Sequence, residues 1–161
     1  MRLVIGDTGP VHYLILIGHI DLLPRLFERV VLLSVVLAEL SHESAPESVR
    51  RWAAALPSWL EVAESPVVML LAGIHKGEAA AIELAARLHA DLLLMDDRRG
   101  VMAAESQGLN VTGTLGVLDL AAARGLIDFA QAVAELHLTT FRMPLAVLGE
   151  LISKHKEPRE R

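Results

Sequence analysis

The sequence predicts an α/β protein, a three-layer α/β/α sandwich with a mostly parallel central sheet. Short uninterrupted apolar runs, the clearest at 3–5, 30–33 and 92–95, are typical of strands buried on both faces of a parallel sheet. Longer segments with helical periodicity separate these runs, and this alternation is typical of a sheet covered by helices. Hydrophobic residues make up 53% of the 161 residues and aromatic residues only 4%, which predicts a large aliphatic core.

The first half of the chain begins with a predicted strand, Leu3–Ile5, which ends at Gly6-Asp7-Thr8-Gly9-Pro10. Pro10 suits the first turn of a helix, which we expect to run to about Ile17 before Gly18 ends it. The other elements predicted in this half are a short helix at 21–27, a strand at 30–33, a helix capped by Ser34 and running through 40, a helix at 47–56 and a short strand at 59–62. Residues 67–72 are ambiguous between strand and helix.

The second half begins with a helix that Gly77 and Glu78 open and that runs to Leu88. After it, the sequence predicts a buried strand at 92–95, a helix from 98 to 107 that Gly108 ends, a strand at 109–111 and helices at 113–124, 129–136 and 144–153. We treat residues 1–152 as one domain and residues 153–161 as a polar, frayed C-terminal tail.

Composition and charge exclude several classes of protein. The chain has no cysteine, which excludes disulfides, thiolate metal sites and cysteine nucleophiles. The apolar stretches at 30–38 and 66–74 are shorter than the roughly 20 residues of a membrane-spanning helix, and the N-terminus lacks a signal-peptide pattern. The net charge of −5 excludes an overall basic surface for nucleic acid but leaves room for a local basic patch. We therefore expect a soluble cytoplasmic protein.

Acidic residues follow the predicted strands at the positions where open parallel sheets bind ligands. Asp7 comes directly after the first strand, and Asp96 and Asp97 follow the strand at 92–95. Glu78 lies in the first turn of a helix, and Glu39 interrupts an apolar helix. If these side chains meet at one edge, a cation must neutralise them, and oxygen ligands favour Mg²⁺ or Mn²⁺. Such a site predicts phosphodiester hydrolysis, with phosphatase chemistry as an open alternative.

Each of these acids also has a purely structural explanation. Asp7 and Glu78 would be stabilised by the backbone N–H groups at the start of a helix. Asp96 or Asp97 would cap the helix that begins at 98, and Glu39 would point to solvent. Other motifs are missing, since the chain has neither a P-loop nor a dinucleotide-binding glycine pattern, and its seven histidines lack zinc-ligand spacing.

Six segments carrying these residues resemble PIN-domain proteins of the VapC-like toxin-nuclease kind, including a small subgroup of unknown function. The matching segments occur in family order over residues 2–152, at 7–10, 14–27, 36–40, 77–82, 92–99 and 111–116. The resemblance implies an α/β/α sandwich and a divalent-metal endoribonuclease that hydrolyses RNA. It also implies a homodimer, and pairing with a small antitoxin protein in a toxin–antitoxin module.

The resemblance further implies roles for individual residues. Asp7 would be the metal ligand after the first strand, Glu39 a catalytic carboxylate on a helix, and Glu78 the carboxylate of the Gly-Glu-x-x-Ala-Ile motif. The family usually has Thr-x-Asp at the fourth position, where Met95 replaces the threonine here. We favour Asp97 as the fourth acid, with Asp96 as the alternative ligand beside it. Thr8 would supply the hydroxyl next to the first acid. The candidate phosphate contacts are Lys76, Arg98 and Arg99.

Two functions of different classes follow from the sequence. The first is a metal-dependent endoribonuclease, and the second is a catalytically weak or inactive PIN-like domain with a binding or regulatory role. Retention of all the expected carboxylates favours the enzyme.

Overall fold

A parallel five-stranded sheet forms the centre of the described part of the molecule, a computed structural model covering residues 2–66 and 73–156. The strand order is β3-β2-β1-β4-β5. In chain order the strands are β1 (Leu3–Gly6), β2 (Arg29–Leu33), β3 (Leu60–Ala63), β4 (Leu92–Leu94) and β5 (Val111–Thr112). In the central register, Ile5 lies opposite Val31 on one side and Leu93 on the other. The predicted fold class is confirmed.

Helices cover both faces of the sheet. They are α1 (Thr8–Leu16), α2 (Leu22–Leu26), α3 (Ser34–Leu40), α4 (Glu47–Ala54), α5 (Lys76–Arg87), α6 (Arg98–Ser106), α7 (Thr114–Ala123), α8 (Phe129–His137) and α9 (Leu145–Lys156). Helix α1 contacts α3, α4 and α7, while α5 contacts α6 and the central strands β1 and β4. Among the described residues, no helix has both the length and the hydropathy needed to cross a membrane.

The central strands are buried on both faces, as their uninterrupted apolar sequences predict. Val4 and Ile5 of β1 and Leu93 and Leu94 of β4 are completely or almost completely enclosed. Full burial of such a side chain contributes about 1.5–3 kcal/mol to folding. This rigid pair of strands determines where the residues at its carboxyl end, beginning with Asp7, are placed.

The capping role predicted for Ser34 is wrong. Ser34 is the first residue of α3, and the capping position is Leu33. The N–H of Val35, which has no partner within the helix, donates to the hydroxyl of Ser65 at 3.0 Å. The hydroxyls of Ser34 and Ser65 lie 3.1 Å apart. A long-range contact therefore satisfies the start of α3, which the local sequence does not reveal.

The strand expected at 109–111 lies later, at Val111–Thr112. Gly108 adopts a φ of +81°, and the N–H of Leu109 donates to the carbonyl of Ala104 at 3.2 Å. This bond is part of the helix-ending motif of α6, so Leu109 belongs to the helix terminus. The ambiguous segment 67–72 lies outside the described residues.

The last helix continues three residues beyond its predicted end at Ser153. Lys154 Nζ and His155 Nε2 reach Asp119 Oδ1 on α7, at 2.9 and 2.8 Å. These contacts, together with the favourable position of basic residues at a helix C-terminus, extend α9 to Lys156.

Candidate active site

Asp7 lies at the carboxyl end of β1 and is buried, with 6% of its surface exposed. Its backbone N–H donates to the carbonyl of Leu94 at 2.9 Å, which ties it to the end of β4. Burial raises the pKa of Asp7 to about 7; the Thr8 amide opposes this shift, and the negative charges of Glu78 and Glu39 add to it. The site therefore disfavours the bare anion and favours a proton or a cation beside it.

Glu39 reaches the same site from α3. Its Oε2 atom accepts a hydrogen bond from the hydroxyl of Thr8, and its Oε1 atom lies 3.5 Å from His75 Nδ1. His75 is the capping residue of α5, where Nδ1 accepts the N–H of Gly77 at 3.2 Å. A Cβ atom at Gly77 would lie 2.8 Å from Glu39 Oε1, so the glycine leaves the space that this carboxylate occupies.

Glu78, in the first turn of α5, has a buried oxygen atom without a partner. Its Oε2 atom has no hydrogen-bond partner among the described residues, and a Cβ atom at Gly100 would lie only 2.9 Å from it. Burial raises the pKa of Glu78, and the charges of Asp97 and Glu39 raise it further. An unpaired buried carboxylate oxygen costs free energy, which a bound cation or a proton would offset.

Asp96 and Asp97 point to different partners. Both oxygens of Asp96 accept hydrogen bonds from Thr114 at the start of α7, from the N–H at 2.7 Å and from the hydroxyl at 2.6 Å. Asp97 is exposed and caps α6 through Oδ1, which accepts the N–H groups of Arg99 and Gly100 at 3.0 and 3.1 Å. The capping explanation considered for this pair therefore holds for Asp97, which also acts electrostatically on Glu78.

The carboxylate oxygens of these acids are suitable ligands for a divalent cation, although the described side chains do not surround a single position. Among the residues that the structure describes, no three His, Cys, Asp or Glu side chains are grouped closely enough to hold a metal ion. The carboxylates are nevertheless near enough to influence one another, and an all-oxygen donor set suits Mg²⁺ or Mn²⁺. The unpartnered Glu78 oxygen is the atom best prepared for such an ion.

The predicted phosphate contacts lie at different places around the acids. Arg98 lines a cleft next to Asp97. Arg99 lies against the loop before α5, where a Cβ atom at Gly73 would meet its Nη1 atom at 2.6 Å. Lys76 is exposed at the start of α5, and the hydroxyl of Thr8 contacts Glu39.

A cleft of about 470 Å³ opens at Asp96 and Asp97, and Asp7, Glu39 and Glu78 are not among its lining residues. Its lining comes from α1, from the end of β4 and from the segment between α8 and α9: Tyr13, Asp96, Asp97, Arg98, Thr140, Phe141, Arg142 and Pro144. Sequence reasoning missed Tyr13, the 140–144 segment and His75. No strand end or known motif marks Tyr13 or the 140–144 segment, whereas the position of His75 directly before a predicted helix was a usable signal for its capping role.

The fold is an α/β/α sandwich with carboxylates at the carboxyl edge of its parallel sheet. Residues 3–157 match the sequence profile of a family described as a PIN domain, and the chain belongs to that family. Its structure is similar to that of a PilT N-terminus domain protein from the hyperthermophilic archaeon Sulfolobus solfataricus, with a TM-score of 0.50 and 12% identity. The similarity covers 88% of this chain and 99% of that one, and it concerns the fold alone. No curated protein matches the chain. The predicted membership of the PIN-domain family is thus confirmed.

Proposed function

We propose that this protein is a cytoplasmic endoribonuclease that hydrolyses RNA phosphodiester bonds with Mg²⁺ or Mn²⁺. One observation carries the proposal: acids that are distant in sequence interact electrostatically, Asp7 with Glu39 and Glu78, and Glu78 with Asp97. Asp7 is buried, and Glu39 and Glu78 are partly buried. Grouping these charges away from water destabilises the fold, so their presence is best explained by a bound cation and its chemistry.

In the proposed mechanism, Asp7, Glu78 and Asp97 would hold the cation, and Asp96 is the alternative ligand. When bound, the cation would lower the pKa of a water molecule and neutralise charge on the phosphoryl group. The hydroxyl of Thr8 holds Glu39 in place, and Glu39 would accept the proton from the attacking water. Arg98 contributes positive charge beside Asp97, where it would orient the phosphate, and Lys76 and Arg99 would contact the RNA further from the cleft.

We further propose that the protein is the toxin of a type II toxin–antitoxin module, in the manner of VapC-like nucleases, and that it forms a homodimer. Exposed apolar side chains support a protein partner, because Leu138 is 88% exposed and Leu145 is 77% exposed near the cleft segment. A small antitoxin and a second copy of the chain are both expected partners.

A second candidate is a PIN-like domain that binds RNA with little or no turnover. The observation favouring it is that the described acids do not form a closed set of metal ligands. This alternative predicts RNA binding without cleavage in any divalent metal.

The proposal is tested by incubating the purified protein with total RNA and with tRNA in Mg²⁺ or Mn²⁺. We expect cleavage by the wild type and loss of cleavage in Asp7→Asn and Glu78→Gln. The matched controls are Asp21→Asn and Glu105→Gln, because both residues are exposed acids distant from the site. Metal binding is followed separately, as the rise in thermal midpoint on adding Mn²⁺.

Three results would decide between the candidates. Intact RNA with the wild type in every metal contradicts the nuclease, and RNA binding in the same samples supports the binding domain. Cleavage that persists in both site variants identifies a contaminating nuclease. For the toxin role, growth inhibition on expression should disappear with Glu78→Gln but remain with Glu105→Gln.

A further inference from the structure

The cleft at Asp96 and Asp97 contains residues that the proposed hydrolysis does not use, among them Tyr13 and Arg142. Its far wall is the segment from Thr140 to Pro144, which follows α8 in the chain and faces the end of β4 across the cleft. Its volume of about 470 Å³ lies within the range of about 300–1,000 Å³ found for sites that bind small molecules. A single nucleotide unit of a longer strand belongs to this size class.

Two arginines lie in the cleft together with the two aspartates Asp96 and Asp97. Arg98 and Arg142 line it, and neither forms an ion pair with any residue that the structure describes. By contrast, Arg29 and Arg87 each pair with a glutamate at 2.9 Å. A guanidinium group without a carboxylate partner is suited to bind a phosphate through its planar fork of N–H groups.

An aromatic surface lies in the same cleft. Tyr13 and Phe141 meet edge to face, with ring centroids 5.1 Å apart and planes at 76°. The hydroxyl of Tyr13 lies 3.0 Å from that of Thr140, so α1 and the far wall are joined at this point. Both rings are half-buried, which leaves part of each ring accessible. Aromatic rings beside cationic side chains are the combination that binds single-stranded nucleic acid.

We propose that Arg142 and Tyr13 bind the nucleotide next to the cleaved phosphodiester bond. Arg142 contacts a phosphate, and the base stacks on the ring of Tyr13, which Phe141 and Thr140 hold in place. A base inside a duplex is already stacked on its neighbours and does not reach this ring. This inference rests on the proposed ribonuclease function and adds specificity-determining residues to it.

The experiment measures binding of a fluorescent single-stranded oligoribonucleotide by anisotropy, in the non-cleaving Asp7→Asn background. Arg142→Ala should raise Kd about tenfold and reduce the slope of log Kd against log salt by about 0.7, the loss of one phosphate contact. Tyr13→Leu should raise Kd at least about fivefold with an unchanged salt slope, because base stacking is lost and no charge is removed. Arg124→Ala is the control, since Arg124 is exposed at the end of α7.

Further variants separate binding from folding. Arg142→Lys should restore part of the affinity and the full salt slope, and Tyr13→Phe should bind as the parent does because it keeps the ring. Thermal midpoints identify any variant that fails to fold, and if Tyr13→Leu does so, the exposed Arg142 provides the test. In the wild-type background, Arg142→Ala should raise KM more than it lowers kcat.

Failure of this inference is distinguishable from failure of the proposed function. If the wild type cleaves RNA while Arg142→Ala and Arg124→Ala bind with the same Kd and salt slope as the parent, the assigned nucleotide site is wrong and the nuclease remains. Equal affinity for a blunt RNA duplex also overturns the stacking role. If the wild type neither binds nor cleaves RNA, both proposals are wrong.

Discussion

Replacing Asp7 by asparagine should stabilise the metal-free protein at high pH, although it should abolish activity. Burial raises the pKa of Asp7 from 3.8 to about 7 in the folded state. Since the folded state holds this proton more tightly than the unfolded state, the contribution of Asp7 to stability is greatest below about pH 4 and falls as the pH rises to about 7. Asparagine has a similar shape and no charge, so Asp7→Asn avoids this loss.

The size of the effect follows from the shift in pKa. About three pKa units correspond to about 4 kcal/mol in the free energy of unfolding, at about 1.4 kcal/mol per unit. Relaxation and water penetration around a buried carboxylate reduce this figure, so we expect Asp7→Asn to gain on the order of 1–3 kcal/mol at pH 8. The gain should shrink towards zero near pH 4.

Urea unfolding in the presence of EDTA measures the stability of the wild type and of Asp7→Asn. The two pH values, about 4.5 and about 8, lie near the ends of the range over which Asp7 titrates. Asp21→Asn is the control, because Asp21 is exposed and should show the same stability as the wild type at both pH values. Adding Mn²⁺ at about 100 times its Kd should then stabilise the wild type by about 2.7 kcal/mol and leave Asp7→Asn unchanged. A stability difference between wild type and Asp7→Asn that is equal at the two pH values would refute the reasoning.

Two further predictions concern the shape of the site. Gly77→Ala places a Cβ atom 2.8 Å from Glu39 Oε1, so cleavage should fall at least about tenfold in a kinetic assay. Gly149→Ala is the control, because a Cβ atom there meets nothing within 4 Å. It should keep full activity and gain up to about 1 kcal/mol of stability in urea unfolding. Equal activity of the two variants would contradict the crowding argument. Asp96→Ala leaves the start of α7 without its acceptor and should lose about 1–3 kcal/mol of stability, whereas Asp97→Asn should chiefly lose the thermal stabilisation by Mn²⁺. The opposite pattern, with metal stabilisation lost in Asp96→Ala alone, would make Asp96 the principal ligand.

The strands and most helices were predictable from the sequence because their signals are local. The apolar runs of β1, β2 and β4 and the glycine at 108 depend on a few neighbouring residues, and the structure places these elements within about two residues of the prediction. The resemblance to PIN domains rests on residues in those same segments, and the family match confirms it.

Tertiary structure decided what those residues contact. No local pattern reveals that Ser65 satisfies the start of α3, or that Thr8 bonds Glu39 across 31 positions of the chain. Such contacts depend on which strands are neighbours in the sheet, and strand order is a property of the whole chain.

The two adjacent acids show the same division most clearly. Asp96 and Asp97 are adjacent residues of the same type, and the sequence predicts that both follow the end of a strand. In the folded chain, Thr114 occupies both oxygens of Asp96, while Asp97 caps α6 and its charge raises the pKa of Glu78. Successive side chains leave a strand end in different directions, so only the packing of α6 and α7 determines which of the two acids acts on Glu78.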